Sequence, residues 1–416
     1  MTDTTDYDIA IVGGGLVGLS LACALGQLES ALRIALIETS DYSRFPPPGF
    51  DSRTVALSYS SQQIFQALQH WETIQAAGVA AIKTIHISDR GHPGVTRLQA
   101  HEQGVGALGY VAENRILGEC LFAAVKQLKQ VDLLAPASVT DIKIASDSAQ
   151  LTLDCEGQTN TIHTKLVVAA DGTESFVREH LFIKQQHRDY HQSALIANVA
   201  TDKPHHNIAY ERFTATGPMA LLPLTGIEAH PHRYGLVWTL AKDRLNEVQQ
   251  LSEQDFAAAL YQRFGRRVGQ FTRIGQRHCY PLGMTQIAEH VRHRLAFIGN
   301  AAHTLHPVAG QGFNLGLRDV AALVEVVRDA VAKQQDVGEL AVLQRYAQWR
   351  VRDHRVTTVF TDSLVRIFSN NFMPMVVARN AGLVAMSLFA PLRKRLTHHA
   401  MGYIGRASLL ARGLGL

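Results

Sequence analysis

Cysteine is scarce in this 416-residue chain, and what there is lies far apart. Cys23, Cys120, Cys155 and Cys279 form no CxxC pair, which excludes a cysteine zinc cage and a thioredoxin-like redox pair. Isolated thiols of this kind read as buried free cysteines of a reducing compartment. No secretory leader is expected either. The first residues, MTDTTDYD, are acidic where a leader needs a basic start and a longer apolar core, so the expected location is cytoplasmic. Charge of one sign does not accumulate: 40 Lys and Arg stand against 36 Asp and Glu, a formal charge of +4. With no nucleic-acid-reading motif, that balance excludes a nucleic-acid partner. No apolar run reads as a membrane span, because Pro374 and Arg379 interrupt the longest one, FMPMVVARNAGLVAMSLFAPL. What remains is an ordinary globular composition, 46% hydrophobic and 18% charged, in a chain long enough for two domains.

Glycine, by contrast, is placed with purpose. DIAIVGGGLVGLSLACAL (residues 8–25) reads as a buried strand, a tight turn and a helix. Gly13, Gly15 and Gly18 make GxGxxG. The first permits the turn, the second lets a phosphate approach the backbone, and the third lets helix pack on strand. The free N–H groups of the helix start suit a pyrophosphate. A second strand, RIALIE, ends in Glu38, where a carboxylate can hold ribose hydroxyls. An acid there favours an adenosine with a free 2′-hydroxyl, as in NAD or FAD. The chain then leaves the βα pattern for PPPGFDSRTVALS, which carries Arg53, and returns to a strand only at KLVVAADGTESFVR, which carries Asp171 and Gly172. A nucleotide domain interrupted in this way suits a flavin nucleotide whose ring reaches a second domain.

A third glycine-rich stretch, GNAAHTLHPVAGQGFNLGLRD, spans residues 299–319. His303 and His306 are spaced as HxxH, yet no cysteine or carboxylate ligand lies close in sequence and Pro307 breaks any helix there. The pair therefore reads as loop hydrogen bonding, and no metal is expected. Residues 185–284 alternate apolar and polar over short runs and read as an antiparallel sheet. Met219, Leu221, Leu222 and Trp238 are candidates for a pocket wall on that sheet, with plain sheet core as the alternative for most of them. After Asp362 the chain has no acidic residue and seven basic ones: Arg366, Arg379, Arg393, Lys394, Arg395, Arg406 and Arg412. A basic tail with apolar segments can lie on an anionic membrane, or can simply pack on the body of the protein.

Together, GGGLVG, AADGTESFVR and FIGNAAHTLHPVAGQGFNLGLRD resemble the single-component flavoprotein aromatic hydroxylases over essentially the whole chain. GFDSRTVALS, HISDRGHPG, ANVAT, ERFTATGPMALLPL and TDSLV further resemble the 2-polyprenyl-6-methoxyphenol hydroxylases of ubiquinone biosynthesis. The resemblance implies an α/β fold of the group A aromatic hydroxylase type. A Rossmann-like FAD-binding domain would take residues 1–75, 101–184 and 285–345. An inserted antiparallel β-sheet substrate domain would take 76–100 and 185–284, and a C-terminal helical region 346–416. It also implies that Gly299 and Asn300 lie by the ribitol and pyrophosphate, and that the stretch Pro307 to Asn314, with Gly310, Gln311 and Gly312, wraps the flavin ring. Asp171 and Gly172 would lie near the pyrophosphate and Arg53 near the ring. Asn300 departs from the aspartate common in the wider family; an amide still accepts a ribitol hydroxyl. The expected reaction is hydroxylation of a polyprenyl phenol with FAD, NAD(P)H and O₂. With no second GxGxxG, the nicotinamide would bind transiently at the surface, and no strong side-chain base is evident. The alternatives are a sibling hydroxylase acting at another ring carbon, an isoprenoid flavin reductase, and an FAD-bearing assembly subunit. Other ubiquinone-biosynthesis proteins, a second copy of the chain and a membrane surface are the partners such a protein would meet.

Overall fold

The computed structural model describes residues 5–28, 32–42, 45, 47, 49–214, 217–304, 310–368 and 373–416. The first apolar run forms the strand Thr5–Val12, paired in parallel with Ile34–Ile37 on one side and Gln158–Ala169 on the other. All four residues of Ile34–Ile37 are buried, as a strand covered on both faces requires. Val131–Leu134 and Leu295–Phe297 extend the parallel sheet outwards. Helix Leu16–Leu25 is apolar nearly all round, and it is buried against the sheet and the long helix Gln311–Ala332. This Rossmann-like layer is the first core.

The second core belongs to a nine-stranded sheet built mainly from residues 185–287. Its pairings are antiparallel except where Ile208–Thr214 runs parallel to Thr84–Asp89. One face is sealed by helix Glu253–Phe264, through Phe256, Leu260 and Phe264. Leu221 and Trp238 are fully buried on that face, with the Trp238 ring 5.6 Å from Phe256. Their strand neighbours Ala220, Leu222, Val237 and Thr239 line a cavity on the opposite face. Leu222 therefore faces the cavity, whereas Leu221 and Trp238 are plain core; Met219 lies on their face in the same core and also borders the cavity. A small antiparallel sheet of Thr54–Ser58, Gly109–Glu113 and Val79–Ile82 stands between the two layers.

Three helices close the chain: Leu340–Phe368, Met373–Leu388 and Ala390–Ala400. Among the described residues, no single helix is long and apolar enough to cross a membrane. Helix Met373–Leu388 is pinned to the hairpin 84–99 by a buried ion pair. Arg379 Nε donates to Asp89 Oδ2 at 2.7 Å, and Asn380 Nδ2 reaches the same oxygen at 2.8 Å. The partners are 290 residues apart in sequence, which is why no local pattern announces the contact.

Candidate active site

Three glycine-rich patches distant in sequence meet at one place. Val12 and Ala169 are partners in neighbouring parallel strands, so the turns that follow them lie side by side. Gly13 has a φ of 102°, and a Cβ on it would lie 2.6 Å from the Ala170 carbonyl oxygen. A Cβ on Gly18 would lie 1.9 Å from the Gly13 carbonyl oxygen, so this glycine is what lets the helix approach the turn. Gly299 packs against Val17 of the same helix, and Gly316 of helix Gln311–Ala332 packs against Gly299. Asn300, exposed, places Nδ2 3.5 Å from Thr173 Oγ1, beside Gly172.

The site fits a dinucleotide with a flavin ring. Helices Leu16–Leu25 and Gln311–Ala332 both start at glycines, Gly15 and Gly310, with no side-chain cap. Helix starts without a side-chain cap suit a ligand that accepts from backbone N–H groups. A Cβ on Gly15 or Gly312 would meet nothing within 4 Å, so both faces are open where an anion and a ring carbonyl would approach. Glu38 lies beside the first of these ends. Its Oε2 accepts the Gly14 N–H at 2.7 Å and its Oε1 accepts the Ser40 N–H at 2.8 Å. Tyr42 donates to the Gly14 carbonyl at 2.6 Å, stacks on Phe122 and closes the turn from outside. Asp171 Oδ2 accepts the Val177 N–H at 3.1 Å, and burial raises its carboxyl above the usual range against hydrogen bonds from Ser175 and Val177.

Gly310, Gln311, Gly312 and Asn314 line one end of a cavity of about 660 Å³, together with Asn300 and strand Thr54–Ser58. Arg53 is exposed immediately before that strand, 5.6 Å from the Tyr280 ring centroid. The Asn314 side chain is committed to protein. Its Oδ1 accepts from Ser58 N and Ser61 Oγ, and its Nδ2 donates to the Ala56 and Gly310 carbonyls, all at 2.7–2.9 Å. It therefore clips the helix start to the strand. Pro307 and His306 lie outside the described residues. The far wall is apolar: the sheet gives Ile87, Phe213 and Leu222, and the C-terminal helices give Leu364, Leu383 and Met386.

Behind the glycine loop lies a buried charge cluster that no sequence pattern announces. Asp319 is fully buried. Its Oδ2 accepts the Gly299 N–H at 3.2 Å and His303 Nε2 at 2.7 Å. Its Oδ1 accepts Arg350 Nε and His354 Nε2, both at 2.7 Å. Asp353 pairs with Arg350 and with Arg318, the latter at 2.9 Å. Burial opposes ionisation of Asp319, but His354, Arg350 and His303 hold its carboxyl well below the usual range. Burial pushes His354 down to about 4, so a neutral ring donates to Asp319. His303, Asp319 and His354 come within metal-binding reach of one another. Arg350 already occupies the same carboxylate, so the cluster is an ion pair that anchors the loop. The one local hint is the Arg318-Asp319 pair in the otherwise apolar stretch 315–324.

The family described as FAD binding domain matches residues 6–352. The chain is 36% identical over 395 residues to ubiquinone hydroxylase UbiL of Rhodospirillum rubrum, covering 95% of this chain and 89% of that one. It is 31% identical over 396 residues to 3-demethoxyubiquinol 3-hydroxylase of Escherichia coli, covering 95% and 98%. Among solved structures, p-nitrophenol 4-monooxygenase PnpA from Pseudomonas putida DLL-E4 superposes with a TM-score of 0.77 over 97% of this chain and 100% of that one. At 18% identity, that likeness is one of fold.

Proposed function

Since this chain belongs to the FAD-binding domain family, we propose that it is an FAD-dependent monooxygenase that hydroxylates the aromatic ring of a polyprenyl phenol in ubiquinone biosynthesis. Its substrate on this reading is a 2-polyprenyl-6-methoxyphenol; the sibling reading keeps the chemistry and moves it to another ring carbon. Bound FAD supplies the redox chemistry, with NAD(P)H as electron donor and O₂ as oxygen source. The observation that carries the reading is the cavity. It runs from the uncapped start of helix Gln311–Ala332 to an apolar wall of sheet and C-terminal helices. Such a space holds a ring at one end and an isoprenoid chain at the other.

Each part of the chain then has a task. The Gly13–Gly15–Gly18 turn and Glu38 hold the adenosine and pyrophosphate, and Asp171, Gly172, Gly299 and Asn300 line the middle of the cofactor. Arg53, Gly310, Gln311 and Gly312 face the ring end. There, backbone N–H groups favour negative charge on the reduced ring. The apolar wall excludes water from the reacting centre. Lipid extracts of cells lacking this chain are expected to accumulate a polyprenyl methoxyphenol that lacks the next hydroxyl, read by mass spectrometry. Accumulation of an earlier or later intermediate moves the assignment to the sibling. An unchanged quinone profile overturns both. A reductase would turn over without O₂.

The cavity is walled by helices that also carry an exposed apolar edge. Met373, Val377, Leu388, Phe389 and Leu392 are each more than half exposed, beside exposed Lys394 and Arg395. This edge supports a membrane contact through which a polyprenyl substrate enters. Not every base of the tail takes part: Arg379 pairs with Asp89, Arg393 with Glu102, and Arg406 with Glu325. Removing the tail would also remove Met401 and Leu410 from the core, so charge reversal is the cleaner experiment. Lys394→Glu with Arg395→Glu is expected to weaken binding to anionic vesicles by about 30-fold, at about 1 kcal/mol per base. The flavin absorbance should stay unchanged. Undiminished binding would remove the membrane contact.

A further inference from the structure

Glu211 stands in the middle of strand Ile208–Thr214, opposite Ile87 on one side and Ala220 on the other. Of its strand neighbours, Arg212 turns away from the cavity and donates to the Arg263 carbonyl at 2.8 Å and to Ser88 Oγ at 3.2 Å. Tyr210 borders the cavity but packs its ring edge-on to Phe264, with centroids 5.5 Å apart. Glu211 instead lines the cavity with Ala209, Phe213 and Ala220. It is the one carboxyl among the described residues that does so, and it has no hydrogen bond or ion pair with any of them. Burial alone pushes its pKa up to about 7.

The other ionisable groups lining the cavity are Tyr210, Arg379 and His399. Arg379 is committed to Asp89 at 2.7 Å. Burial lowers His399 to about 4 and so keeps it neutral, and burial raises the Tyr210 hydroxyl. None of them pairs with Glu211. An unpartnered carboxyl facing an apolar cavity costs stability, and a group held at that cost in a binding cleft points to a ligand partner.

We propose that Glu211 is the hydrogen-bond acceptor for the phenolic hydroxyl of the substrate. The inference rests on the reading above that the ligand is a phenol with an apolar chain. Such a ligand brings one strong O–H donor and otherwise only apolar surface, which suits an apolar cavity with a single carboxyl. Fixing the hydroxyl at Glu211 fixes which ring edge faces the Gly310–Gly312 end. Glu211 is thereby a determinant of ring position, and it acts by hydrogen bonding without a covalent step.

The test compares 2-methoxy-6-prenylphenol with its methyl ether, titrated calorimetrically into the FAD-loaded protein at about pH 6 and about pH 8.5, on either side of a carboxyl near neutrality. Wild type is expected to prefer the phenol by about tenfold, and more strongly at the higher pH, where the carboxylate is the better acceptor. Glu211→Ala should erase the preference. Glu211→Gln keeps an acceptor and should keep the preference while losing its pH dependence. If Glu211→Ala sheds flavin, the pH response of Glu211→Gln decides alone. A preference that survives in Glu211→Ala, a pH response unchanged in Glu211→Gln, or no preference in wild type overturns the assignment. Product from the phenol, NAD(P)H and O₂ is assayed separately by mass. Product without an effect of Glu211 removes this inference alone, whereas no product from wild type removes the functional reading.

Discussion

Replacing Asp319 by alanine is expected to strip FAD from the protein and to lower its stability by about 3–5 kcal/mol, the usual cost of breaking a buried ion pair. The carboxylate accepts four donors, one of them the Gly299 N–H that opens the third glycine-rich stretch. Alanine leaves Arg350 with Asp353 as its one remaining carboxylate and leaves the N–H groups of His303 and His354 buried without an acceptor. Asparagine keeps the volume and one acceptor oxygen, but its amide N–H groups face other donors, so it should rescue little. Denaturant unfolding of the apoprotein measures the first effect, and the flavin-to-protein absorbance ratio after gel filtration measures the second. A variant that unfolds early yet keeps a full complement of flavin would mean that the cluster holds the fold and not the loop. Full stability would mean that the cluster contributes little to either.

What the sequence reveals here follows from distance along the chain. Strand, turn, helix and second strand between Asp8 and Glu38 are contiguous, and their glycine spacing and apolar runs are legible because each requirement is local. The strands of residues 185–287 are legible by alternation, but which face meets the cavity is not. Leu221 and Leu222 are both apolar, and only the docking of helix Glu253–Phe264 separates their sides. The Asp319 cluster gathers residues from 299 to 354, and the Asp89–Arg379 pair joins residues 290 apart. Such pairs leave no periodic trace. Glu211 is hidden for another reason. In ERFT a glutamate beside an arginine reads as half of a solvated pair, yet in the strand the two side chains point to opposite faces. The C-terminal helices pose the same difficulty. Their apolar residues read as membrane contact or packing, and the structure uses them on both sides: Leu383 and Met386 face the cavity, while Leu388 and Phe389 are exposed.

Gly15→Val separates binding from folding. The backbone of Gly15 is extended, with φ −65° and ψ −178°, a conformation open to any residue. A Cβ there meets no atom within 4 Å. The apoprotein should therefore melt as wild type does. The space that valine fills is the approach to the uncapped start of helix Leu16–Leu25, where the pyrophosphate would take its N–H groups. Affinity for FAD is expected to fall about 100-fold, equivalent to about 2.7 kcal/mol, as measured by flavin fluorescence titration of the apoprotein. Gly18→Val provides the contrast. Its Cβ would lie 1.9 Å from the Gly13 carbonyl oxygen, so the helix must leave the turn and the apoprotein itself should lose stability. Loss of FAD in both variants, with a fold defect in Gly18→Val alone, assigns Gly15 to the cofactor and Gly18 to the packing beneath it. FAD bound at wild-type strength by Gly15→Val would place the pyrophosphate elsewhere and would undo the assignment of the first glycine patch to the cofactor.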